Sequence, residues 1–198
     1  MMLLGADGVY CLGLMIIFMA GVCAYVNEII SLFWNICRFK KGPESVPTQP
    51  FFVMVVFLGY FLATFAAVGA SADLKVSFFA AFLMVLMIAG VTFGLVWVLL
   101  TFKGVSNRFL PTILALVGTD VVLTVLGLPL IIALNYWSPE GLTDVLGGLL
   151  ILLMGWSIVV GGFILHRALN MSLMQGSFIS FCIMISSNYL ASFLMSSG

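Results

Sequence analysis

Two acids stand inside otherwise apolar runs, Asp120 and Glu28. A charged carboxylate at a bilayer centre costs about 2.5–3.5 kcal/mol on insertion scales, so such a group is expected to face protein or water and not lipid. Asp120 has Gly118, Thr119 and Thr124 for neighbours. Its functional reading is a proton or cation relay. The plainer alternative is a protonated or hydrogen-bonded acid that holds helices together. Glu28 stands ten residues before Arg38, a distance of about 15 Å along a helix. It would reach toward the headgroups or pair with another helix, and partial snorkelling is its plainer reading. The last apolar stretch is unusually polar, with Ser177, Ser180, Ser186, Ser187, Asn188 and Ser192. Such a helix is expected to line a cavity or bind a partner, although serines also bond back to their own helix. The intramembrane polar candidates are therefore Asp120, Glu28, Thr124 and Asn188.

Most enzyme classes lack their residues here. The single histidine, His166, leaves no pair of axial imidazoles for a buried haem. The zinc-protease pattern H-E-x-x-H and the nucleophile elbow G-x-S-x-G do not occur. No phosphate-cradling glycine loop is found either. Lys75 and Lys103 fall in connectors, which argues against a mid-membrane Schiff base. Cys11, Cys23, Cys37 and Cys182 form no C-x-x-C pair and read as small apolar packing residues. No catalytic set, metal site or cofactor is expected, and the chain reads as a non-enzyme.

The elements that position these residues follow from composition. Hydrophobic types make up 64% of the chain and charged types 7%, where an ordinary soluble domain carries roughly a quarter charged. Mean hydropathy is +1.30. A soluble fold of this size could not hide so much apolar surface. A formal net charge of zero gives no electrostatic case for nucleic acid. The expected fold class is all-α, a polytopic membrane helix bundle. A span needs about 20 apolar residues, and six segments qualify: about Val9 to Ile36, Phe51 to Ala70, Val76 to Thr101, Phe109 to Leu134, Leu142 to Leu165, and Met171 to Met195. The first lacks a basic flank before Leu3 and is read as a mature helix, not a cleaved signal.

The breaks between segments carry turn chemistry. The stretch from Lys41-Gly42-Pro43-Glu44 through Pro47 and Pro50 reads as an extended, non-helical connector. Asp73 is placed to cap the third segment, and His166-Arg167 to close the fifth. Arg38, Lys40, Lys41, Lys103, Arg108 and Arg167 lie in connectors one, three and five, against Lys75 alone on the other side. By the positive-inside rule those connectors are cytoplasmic and both termini are outside. A bacterial inner membrane is the expected location. Tyr10, Trp34, Tyr60, Tyr136 and Trp137 are assigned to interfacial aromatic belts.

Small residues recur at helical spacing, as close helix packing in lipid requires. Gly90 and Gly94 form a G-x-x-x-G. Ala168, Ser172, Gly176 and Ser180 line one face of the last helix, Ala63 and Ala67 recur on the second, and Gly148, Gly155 and Gly162 repeat on the fifth. Packing within the chain is the first expectation and a dimer face the second.

Two stretches resemble the Yip1 family of five-span membrane proteins. One runs Phe102-Lys103-Gly104-Val105-Ser106-Asn107-Arg108-Phe109-Leu110-Pro111-Thr112 into Ala115 and Gly118. It is similar to the family's basic, glycine-containing connector before its third span. The other runs from Trp156 through Phe163-Ile164-Leu165-His166-Arg167-Ala168-Leu169-Asn170-Met171-Ser172. It resembles an aromatic-rich span, a short basic turn and a small-residue helix. The resemblance covers roughly residues 45–195 and implies a cytoplasmic entry to the second helix and an outside C-terminus. Family members are associated with membrane traffic in eukaryotes. The expected organisation is one transmembrane domain, with an extra N-terminal helix over 1–42 and a Yip1-like five-helix bundle over 43–198.

Two functions follow as expectations. The favoured one is a non-catalytic membrane subunit or scaffold that packs against partner membrane proteins or a second copy of itself. The alternative is a small transporter or channel using Asp120 and the polar face of the last helix. Polar residues converging on a continuous cavity would favour transport.

Overall fold

A computed structural model describes residues 25–71, 78–136 and 142–196. Among these the chain is all-α. Helix α1 covers the described residues 25–37. It is followed by α2 (Pro50–Ser71), α3 (Phe78–Phe102), α4 (Phe109–Tyr136), α5 (Thr143–Leu169) and α6 (Leu173–Ser196). Four of them, α2 to α5, are long and apolar enough to cross a membrane, and the protein is an integral membrane protein. Its outer surface agrees, with Met54, Leu58 and Leu62 of α2 and Ile151 and Leu152 of α5 all turned outward. Residues 9–24 of the expected first span, the proposed cap Asp73 and the belt residues Tyr10 and Trp137 lie outside the described residues.

The helix ends have local causes. Pro50 opens α2 at the position where a missing N–H costs nothing. Helix α5 runs four residues beyond Leu165, so His166 and Arg167 belong to its last turn and do not close it. Asn170 ends it instead, in the left-handed conformation at φ 50° and ψ 50°, which asparagine tolerates as a helix stop. The two basic side chains are favourable at the negative end of the helix dipole. Ser172 and Gln175 form a reciprocal cap at α6: the Ser172 amide donates to Gln175 Oε1 at 3.2 Å, and the Gln175 amide to Ser172 Oγ at 3.3 Å. The first connector is not simply extended. Pro43–Ser45 forms a 3-10 turn with Pro43 at its start, and Ser45 donates from Oγ to the Gly42 carbonyl at 2.8 Å. Pro43 and Val46 are buried, so this connector is packed and not merely a spacer.

Helices α2 to α6 form a ring. The extensive contacts join α2 to α4, α4 to α5, α5 to α6 and α6 to α3, and a lighter α2–α3 contact closes it. On that last seam the Phe57 and Phe93 rings meet edge to face at 5.6 Å. Helix α1 lies across the outside of this ring. The Tyr25 ring is 5.7 Å from Phe51 of α2, Phe33 seats against Gly118 of α4, and the Cys37 carbonyl accepts from Trp156 Nε1 of α5 at 3.2 Å. The described part of α1 therefore touches three other helices. Gly118 is the residue that permits this, because a Cβ there would enter the Phe33 ring.

The tightest packing lies at one end of the ring. Ile36, Leu100, Leu114, Ala115 and Ile164 are all 0% exposed. They come from the end of α1, the end of α3, the start of α4 and the end of α5. At the opposite end Asn135 Nδ2 of α4 donates to the Ala70 carbonyl of α2 at 2.8 Å.

Candidate functional site

Above the packed end the five helices separate around a cavity of about 420 Å³, with side chains from every one of α2 to α6 in its wall. Helix α4 contributes Thr119 and Asp120, α2 contributes Tyr60 and Thr64, and α3 contributes Thr92. Helix α5 adds Ser157, and α6 adds Ser180, Ser187 and Asn188. Between these polar groups the wall is apolar, including Met84, Ile88, Phe93, Ile131 and Met184.

Asp120 stands eleven residues past Phe109, about 16 Å along the helix and so at bilayer mid-depth. It is deep when judged by the atoms around it and open when judged by its own surface area. Asp120 lines the cavity, so it is open to that space while packed among the helices. Among the described residues none donates a hydrogen bond to its carboxylate and no cation stands beside it. The one described ion pair is elsewhere: Arg167 Nη1 to Glu44 Oε1 at 2.9 Å, on the exposed surface of the packed end.

Three hydroxyls of the wall are partly occupied by their own helices. Thr119 Oγ1 donates to the Ala115 carbonyl at 2.8 Å, Ser157 to Met154 at 2.8 Å and Ser187 to Ile183 at 2.8 Å. Asn188 Nδ2 donates to the Met184 carbonyl at 2.8 Å, leaving its own amide oxygen for the cavity. Thr92 and Ser187 share a bond of 3.0 Å that ties α3 to α6 across the wall. Thr64 differs. Its Oγ1 is buried with no hydrogen-bond partner among the described residues. The Tyr60 hydroxyl is its neighbour and lies in the field of Asp120, but the pair does not reach hydrogen-bond geometry.

The sequence-derived candidates thus separate. Asp120 and Asn188 meet at the cavity, although they lie 68 residues apart. Thr124 is half-buried on α4 outside the wall, and Glu28 is exposed on α1. The packing candidates divide as well. Gly176 rests on the Gly162 carbonyl, Gly161 takes the Ser180 side chain, and Ser172 is consumed by the α6 cap. Gly90, Gly94, Gly148 and Gly155 are exposed, with no atom near the place a Cβ would take.

Tyr60 corrects an expectation. It is 5% exposed and faces the ring, not the headgroups. An interfacial tyrosine keeps its hydroxyl in water near a helix end, whereas Tyr60 is the eleventh residue of the 22 in α2. That mid-helix position was the available signal. Thr64 and Thr92 had none, because a single threonine in an apolar helix reads equally as a residue bonded to its own backbone. Among the described residues no three His, Cys, Asp or Glu side chains come together to hold a metal ion. The site's chemical capacity is therefore one carboxylate, a set of hydroxyls and an apolar wall. No protein-family model, curated protein or solved structure matches this chain.

Proposed function

We propose that this protein is a small, non-enzymatic transporter or channel, and that Asp120 is the group that takes up the transported proton or cation. The observation that supports this most is the meeting of Asp120, Tyr60, Thr64 and Asn188 on one mid-membrane cavity. Intramembrane acids with neither lipid exposure nor a fixed counter-charge are the usual marks of ion routes. The remaining parts of the reading are six spans with both termini outside, in a bacterial inner membrane. The six-to-one bias of basic residues supports the orientation. The Yip1-like reading of residues 43–198 belongs to the same proposal, supported by the described cavity-lining residues all coming from α2 to α6.

The test is flux. Purified protein in vesicles carrying a trapped pH dye is expected to dissipate an imposed proton or cation gradient. Asp120→Asn is expected to slow this at least tenfold at equal insertion and orientation. Wild-type vesicles no faster than empty ones would overturn the reading.

A second reading is favoured by Gly90 and Gly94, which no described residue covers. Small residues that let backbones approach are ordinarily used by a partner helix. A subunit or scaffold role, alone or combined with transport, is tested by cross-linking Gly90→Cys in native membranes. A specific cross-linked band supports it, and its absence in membranes holding active protein counts against it.

A further inference from the structure

Resting on the cavity reading above, we infer that the site takes a monovalent organic ammonium ion with an apolar body, and not a metal ion or an anion. The geometry decides among these chemistries. A hard metal cation takes six or more oxygen ligands in its first shell. The wall offers one carboxylate, and its other side-chain oxygens are neutral hydroxyls and one amide spread over five helices. Among the described residues no cationic side chain or free helix N-terminus lines the space, so an anion would meet the Asp120 carboxylate with no positive charge to offset it.

An ammonium head satisfies what is unsatisfied. It supplies the positive charge that Asp120 lacks, and its N–H groups find an acceptor in the Asp120 carboxylate in the cavity wall. The rest of the wall has no use for a small inorganic ion. About 420 Å³ falls in the range of roughly 300–1,000 Å³ in which small organic ligands are held, mostly by apolar contact with a few placed polar groups. Met84, Met184, Ile88 and Phe93 supply that contact, and the two flexible thioethers adapt to varied shapes.

The experiment compares three probes of one shape on the wild-type chain in mild detergent: phenethylammonium, phenethyl alcohol and hydrocinnamate. Binding is read by isothermal titration. The ammonium is expected to bind at least tenfold tighter than the alcohol, with no detectable binding of the carboxylate. Asp120→Asn is expected to remove the tenfold preference while leaving binding of the alcohol unchanged. Equal binding of ammonium and alcohol, or tighter binding of the carboxylate, overturns the inference. That comparison needs no variant, so a poorly folding Asp120→Asn chain does not remove the test. Flux separates the two proposals. Ammonium binding without any flux would keep the ligand class and defeat transport. An Asp120-dependent proton flux with no ammonium preference would do the reverse.

Discussion

The two ends of the α5–α6 pair differ more than their sequences suggest. Near the packed end the helices touch backbone to backbone, with Gly176 on the Gly162 carbonyl and the Ser177 backbone against Gly162. Farther along, Ser157 of α5 and Asn188 of α6 stand on opposite parts of an open wall. The same two helices thus form a wedge. At the closed end small residues remove the bulk that would keep the backbones apart. At the open end Ser157 and Asn188 line the cavity and bond to their own helices. In lipid no hydrophobic force drives helices together, so contact geometry alone decides where they close. A bundle that is closed at one end and open at mid-depth has a rigid base and a site.

The strongest way to break this contrast is to fill the closed end. A Cβ on Gly162 would strike Ser177 backbone atoms, which cannot swing aside. Gly162→Leu is expected to lose about 3 kcal/mol or more of stability, at the upper end of overpacking costs, and to lower the midpoint of thermal unfolding in detergent. Gly155→Leu is its control, because nothing lies near that position. It is expected to stay within about 0.5 kcal/mol of wild type, as open surface positions do. Equal effects at the two glycines would mean that the wedge does not organise the fold.

The next largest effect sharpens the contrast between base and cavity wall. Leu114 is 0% exposed and surrounded by the base. Leu123 is nearly as buried, at 7%, but one side of it faces the cavity. In a membrane the transfer part of a leucine deletion largely vanishes, because lipid is as apolar as the interior. The lost contacts remain. Leu114→Ala is therefore expected to cost about 2 kcal/mol, near the low end of the range for soluble cores. Leu123→Ala should cost less than half of that, since it has fewer contacts to lose. Reversible unfolding in mixed micelles measures both. A larger cost at Leu123 would show that the cavity wall, and not the base, carries the stability.

Sequence reasoning reached the two sides of this contrast unequally. Helix type and approximate length follow from apolar runs of about 20 residues between Pro, Gly and charged breaks, and α2 to α6 appear within a few residues of their expected bounds. Asp120 was legible because an acid in lipid has so few tolerable surroundings. What the sequence could not reveal is which faces meet. Every apolar helix here is hydrophobic all round, so no amphipathic stripe indicates an inner face. Gly90 and Gly162 looked alike as packing residues, yet one is bare and the other lies under Ser177. Tyr60 looked interfacial until the ring order placed it inside. The crossing of α1 over three helices was also hidden, since Gly118 and Phe33 are 85 residues apart and neither forms a motif.

A smaller effect is expected inside the wall. The Thr92–Ser187 bond of 3.0 Å links α3 to α6 beside the cavity. Interhelical bonds of this kind in membrane proteins are worth about 0.6 kcal/mol on average. Ser187 also keeps its bond to the Ile183 carbonyl, so its hydroxyl proton is not stranded. Thr92→Val, which preserves shape, is expected to destabilise by less than about 1 kcal/mol. Its effect on flux should exceed its effect on stability, because α3 also closes the light α2–α3 seam. A loss of several kcal/mol would place the hold between α3 and α6 on this one bond.

The smallest expected effect tests whether charge holds the base. Connector one is fastened to the end of α5 by Glu44 and Arg167, with the Arg167 guanidinium also lying 5.4 Å from the centre of the Phe163 ring. The pair is conspicuous in a chain with so few charges, but both side chains are largely exposed, at 46% and 60%. Exposed pairs contribute about 0–1 kcal/mol, because water and salt compete for both partners. The buried Pro43, Val46 and Cys37 around it supply contacts that water cannot replace. Glu44→Gln keeps an oxygen in place for the Arg167 N–H and removes only the charge. It is expected to change stability by less than about 0.5 kcal/mol, with the difference shrinking further at high salt. If it instead costs more than Leu114→Ala, then the base is held by its ion pair, and the division between an apolar base and a polar cavity does not describe this protein.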